Sequence, residues 1–188
     1  MTLLTVGVLM FAAVHLYPGV LPDIRRRWQQ RLGENGYKGL FSLAIATSIV
    51  LIVVGWRSAQ PQHLYLPPQE LRLPGIALVA LAFWLFVVSQ RRSRLRQLIR
   101  HPQLTGVLLW AGAHLLMNGD SRSVILFGVL GLWALIEILL INRREGVWIK
   151  GDSPPVSTDI VSLLITAVVV VVLMHLHPWF AGMPVFIG

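Results

Sequence analysis

The sequence contains no cysteine, which excludes disulfides, thiolate nucleophiles and cysteine-ligated metals and leaves the redox compartment undetermined. Charge is also scarce. Charged residues make up 13% of the 188, where an ordinary globular chain has about 25%. They are gathered into short tracts between long apolar runs, a pattern that cannot clothe a water-soluble fold. Acidic residues are the rarest of these, 8 against 16 lysines and arginines. Few Ser, Thr or Asp residues lie inside the apolar runs, and no nucleophile elbow, phosphate-cradling glycine loop or zinc-protease signature is present. Hydrolysis of the usual kinds therefore has no obvious machinery. The first apolar run has no basic segment ahead of it, and Arg25, Arg26 and Arg27 come after it. It reads as a retained span rather than a cleaved signal.

What the chain has in abundance is apolar residues, 55% of the total. They fall into six segments, about Leu3–Leu21, Gly39–Trp56, Leu73–Ser89, Leu104–Met117, Val124–Asn142 and Ile160–Pro178. A helix needs roughly 20 residues to cross hydrocarbon, and only the fourth segment is short of that. The expectation is an all-α, polytopic membrane bundle, a single domain over residues 1–188 with about six transmembrane helices. The intervening loops Pro22–Lys38, Gln90–Gln103 and Arg143–Asp159 hold thirteen of the 16 basic residues, and the other loops hold only Arg57, Arg72 and Arg122. With six spans the three basic loops share one face, which the positive-inside rule makes cytoplasmic and which places both termini in the periplasm of an inner-membrane protein. The net charge of +8 is thus a topology signal beside lipid headgroups. Nucleic acid is not indicated, because no groove-reading or base-stacking motif accompanies the charge.

Ionisable groups inside hydrocarbon are costly and call for a partner or a function. His15 lies roughly 10 Å and His114 roughly 15 Å from the basic edge by helical rise, so the two imidazoles are expected to share one layer. His175 lies nearer the other face, at roughly 22 Å, with His177 close behind it. Two buried imidazoles on different helices suit a haem iron held from both sides, and an apolar surround tunes its potential. Another metal, or plain hydrogen bonding between helices, also accounts for them. Pro18 frees the carbonyl of Val14 and is expected to bend the first helix beside His15. Glu137, roughly 7 Å inside the basic edge, is expected to pair with a loop arginine or with His101. Small residues, Gly128 with Gly131 and Gly106 with Ala111, Gly112 and Ala113, mark candidate close helix contacts. Asn118-Gly119-Asp120 reads as a tight turn, and His63 as an exposed residue of a proline-stiffened loop.

Several stretches strongly resemble the NnrU family of bacterial membrane proteins. They are His15-Leu16-Tyr17-Pro18, the run Arg31 to Ser42, Arg100-His101-Pro102-Gln103-Leu104-Thr105-Gly106, Trp110 to Asp120, and His177 to Pro184. That resemblance implies a link to denitrification, in nitrite and nitric oxide metabolism. The family is similar in turn to the plant and cyanobacterial 15-cis-zeta-carotene isomerase, an integral membrane enzyme that uses haem b. On that likeness His15 and His114 match the histidines linked to haem binding, and His101 matches a further one. The implied function is a haem b-binding membrane protein with a redox or sensing role. His15 and His114 would then be iron ligands, or one ligand and one distal group, and Arg96 or Arg100 would face the haem propionates. Three alternatives accompany it: a carotenoid-type cis-trans isomerase, a non-enzymatic partner that assembles a membrane reductase, and a methyltransferase using S-adenosylmethionine. The last rests on a more distant resemblance of Arg100-His101-Pro102 and Arg143-Arg144-Glu145 to membrane methyltransferases.

Overall fold

A backbone in hydrocarbon finds no water, so each apolar run must satisfy its own N–H and C=O groups as a helix. The computed structural model describes residues 1–183 and 185. Among these lie six helices: α1 (Thr2–Val20), α2 (Pro22–Ser58), α3 (Arg72–Ser89), α4 (Pro102–Met117), α5 (Ser121–Glu145) and α6 (Val156–Ala181). The fold is all-α, and the chain is a multi-pass membrane protein. α1, α2, α5, α6 and α3 with the 3-10 turn ahead of it are each long and apolar enough to cross a bilayer. α4 is the exception. It starts at Pro102, two residues earlier than the apolar run, because proline suits the first helical turn, yet its 16 residues rise only about 24 Å.

One expected loop is helical instead. Pro22–Lys38 belongs to α2, which turns sharply at Gly33, where φ is +70° and only glycine is unstrained. Pro22 at the first position, Asp23 in the first turn and a run of arginine, glutamine and leucine all favour a helix there. The basic segment is therefore a helical arm, kinked at Gly33, leading into the second span.

The helices pack as a row in the order α2, α1, α5, α4, α3, α6. α1 and α2 cross closely at Gly7 and Gly55: a Cβ on Gly7 would lie 2.7 Å from the Ile52 backbone nitrogen, and one on Gly55 2.6 Å from Leu4 Cα. Gly106 plays the expected role between α4 and α3, since a Cβ there would sit 2.7 Å from Phe86, whereas Gly112 and Gly128 face open space. Gly7 and Gly55 were not among the expected contacts, because glycine is common in membrane helices wherever it sits.

At the end away from the basic loops, Tyr65 donates its hydroxyl to the carbonyls of Leu115 and Asn118, and His63 bridges to Asp120. Asp120 caps α5 by accepting from the N–H groups of Arg122 and Ser123, so the expected tight turn is also a helix start. Partial burial pushes the Asp120 carboxyl up, but hydrogen bonds from Ser123 and the charge and N–H of Arg122 outweigh it and hold the group below its ordinary range. Arg57 at the end of α2 reaches the Trp179 carbonyl of α6 at 3.5 Å, so the outermost helices of the row meet there. At the basic end, Asp159 of α6 accepts from Ser93 and from the Arg94 backbone, and Arg94 donates to the Pro154 carbonyl.

Candidate functional site

His15 stands on the face of α1 that packs against α5. Its Nδ1 lies 2.9 Å from the Phe11 carbonyl, one turn back. A carbonyl only accepts, so Nδ1 carries the proton and Nε2 keeps its lone pair. This is the form that binds a metal through Nε2. Three aromatic rings surround the imidazole: Phe11 at 4.2 Å, Trp133 of α5 at 5.0 Å and Phe41 of α2 at 5.8 Å between centroids. Pro18 lies inside α1 three residues further on, where the Val14 carbonyl loses its usual donor.

Two buried polar atoms beside this ring have no hydrogen-bond partner: the Nε1–H of Trp133 and Oε2 of Glu137. The two residues are one turn apart on α5. The expected pairing of Glu137 with His101 does not form, because His101 donates its Nε2–H to Oδ1 of Asn142, 2.9 Å away. Trp133 Nε1–H and Glu137 Oε2 are thus unpartnered one turn apart on α5, and the Trp133 ring lies beside that of His15. A buried polar group left without a partner costs about 1–3 kcal/mol, so two in one spot call for an explanation.

His114 repeats the local chemistry on α4. Its Nδ1–H donates to the Trp110 carbonyl at 2.8 Å, which leaves Nε2 free. Its ring stacks on Phe127 of α5 at 4.3 Å and lies 5.0 Å from that of Trp110. His15 meets α5 at Trp133 and His114 meets it at Phe127, six residues earlier on that helix. The donor type at each histidine fits a haem iron.

The remaining candidates lie at the two ends. Arg100 donates to the Gly146 carbonyl at 2.7 Å and meets Glu145 at 3.4 Å, so the segments around 100 and 145 do come together. Arg96 donates only to the Arg91 carbonyl, at 3.4 Å, and is exposed. His175 is exposed and bonds the Val171 carbonyl, and His177 bonds that of Met183. Pro184, the end of the His177 stretch, lies outside the described residues. No three His, Asp or Glu side chains converge among the described residues. A bare divalent ion wants such a group, whereas haem brings four nitrogens of its own and needs one or two from the protein. Trp133, Phe127 and Phe41 were missed in the sequence, where an aromatic in an apolar run carries no mark of what it faces.

A family model described as "NnrU protein" matches residues 3–185. No curated protein and no solved structure matches.

Proposed function

The chain belongs to the NnrU family, and on that premise we propose that it is a haem b-binding protein of the bacterial inner membrane, with a redox or sensing role in nitrite and nitric oxide metabolism. The observation that carries this reading is at the α1–α5 contact, where His15 keeps Nε2 free beside the Trp133 ring and α5 holds two unpartnered buried atoms, Trp133 Nε1–H and Glu137 Oε2. His15 would hold the iron through Nε2. Haem bound there would supply redox and small-ligand chemistry.

The protein's own groups account for the rest. The Phe11 carbonyl fixes the His15 tautomer and ring orientation. The indole N–H of Trp133 is available to donate a hydrogen bond, and Glu137, one turn along α5, would hold or pass a proton. Phe11 and Phe41 keep water out. Arg96 or Arg100, at the basic end, would pair with propionates. His114 is a second imidazole with its Nε2 free, on α4. The basic end is cytoplasmic and both termini are periplasmic.

The test is to express the chain with ample haem supply, purify it in detergent and record oxidised and reduced absorption spectra. The expected result is a stoichiometric Soret band that His15→Ala abolishes, that added imidazole restores, and that His114→Ala retains. Absence of haem from the wild type, or equal loss in both variants, would overturn the assignment.

A further inference from the structure

The end of α5 and the start of α4 border an open recess of ≈ 420 Å³ lined by Arg100, His101, Ile141, Glu145, Val147 and Trp148, among others. Its outer wall is the loop that follows Gly146, whose φ of +66° turns the chain back beneath the helix end. That loop presents apolar side chains in an unusual way. Val147 is 88% exposed and Ile149 is 89% exposed, beyond the end of a helix rather than along a spanning face. Between them Trp148 carries the Lys150 ammonium over its ring at 4.9 Å. An indole with a cation on it, flanked by bare aliphatic side chains at the mouth of a basic loop, is the composition of a bilayer interface.

Charge selects what enters. Arg100, Arg144 and Lys150 border the hollow or its wall, and Glu145 is the single carboxylate, shared by both arginines at 3.4 and 3.5 Å. His101 gives its Nε2–H to Asn142 and keeps Nδ1 unspent. The surplus is positive, so an anion is favoured over S-adenosylmethionine, whose sulfonium and amino groups are cations. The apolar wall formed by Ile141, Val147 and Ile149 further favours an anion that carries a chain.

We propose that this hollow binds the phosphate headgroup and upper acyl chain of an anionic phospholipid, with Arg100 and Lys150 at the phosphate and Val147, Trp148 and Ile149 against the chain. The site pins the α4–α5 end to one leaflet, where the short helix α4 needs its depth fixed.

The test is native mass spectrometry of the full chain in detergent, titrated separately with dioctanoyl phosphatidylglycerol, dioctanoyl phosphatidylcholine, inorganic phosphate and S-adenosylmethionine. The expected result is one saturable phosphatidylglycerol adduct, at least tenfold tighter than phosphatidylcholine and weakened at least fivefold in the exposed-loop double variant Trp148→Ala/Lys150→Gln. Arg100→Gln should lose the adduct. If that variant misfolds through loss of the Gly146 contact, the loop variant decides alone. Equal binding of the two lipids, or an unchanged adduct in the loop variant, would overturn the proposal. Displacement of the lipid by an equal concentration of phosphate would assign the hollow to a soluble anion, and tighter binding of S-adenosylmethionine would assign it to that ligand. Either result would also overturn it.

Discussion

Replacing Gly55 with alanine adds one methyl group where α1 and α2 touch backbone to backbone. Its Cβ would stand 2.6 Å from Leu4 Cα and 2.8 Å from the Leu3 carbonyl carbon, about 0.8 Å short of ordinary contact at 3.4 Å. These are main-chain atoms of a helix, with no rotamer to swing aside, so the helices must part. Overpacking of this kind costs about 1–3 kcal/mol. Alanine also brings up to about 1 kcal/mol of helix propensity over glycine, which offsets part of the loss. Gly112 and Gly128 separate the two effects, since a Cβ at either meets nothing within 4 Å. The assay is thermal unfolding in detergent, where about 1 kcal/mol corresponds to roughly 2–4 °C in a chain of this size. Gly55→Ala should melt several degrees below the wild type, and Gly112→Ala and Gly128→Ala at or above it. Because α1 carries His15 and α2 carries Phe41, Gly55→Ala should also lower haem occupancy. Equal melting of all three variants would refute the crossing geometry.

Other perturbations test the far end. Asp120→Ala removes a cap that serves two backbone N–H groups and should cost about 1–2 kcal/mol in thermal unfolding. The Asp120 carboxyl titrates below its ordinary value of 3.8, so its stabilisation is complete above that value and is lost as pH falls through the depressed one. Asp120→Asn should flatten that part of the acid stability profile while keeping most of the cap. Tyr65→Phe deletes the hydroxyl bonds to Leu115 and Asn118 and should cost about 0.5–1.5 kcal/mol, read as faster proteolysis of the loop between α2 and α3.

The sequence revealed the helices because hydrocarbon permits so few backbone solutions: apolar length sufficed to locate five helices long and apolar enough to cross a bilayer, and the short α4. Its account of Pro22–Lys38 was wrong because charge density was taken for a loop, while proline at the first position and good helix formers made an arm. His15 and His114 were legible as costly residues in oil. The partners each finds on α5, Trp133 and Phe127, were not, because a sequence does not say where α1 and α4 sit against a third helix. The indole of Trp133 became informative only once packing placed its ring beside His15. The α1–α2 crossing was hidden for a related reason. Gly7 and Gly55 look like any membrane glycines until the partner backbone is known.

The placement of one protein imidazole per iron is tested most directly by electron paramagnetic resonance of the ferric, haem-loaded protein at low temperature. The account predicts a high-spin signal that persists in His114→Ala and disappears in His15→Ala. A purely low-spin signal from two imidazoles, converted to high spin by removal of either histidine, would contradict it.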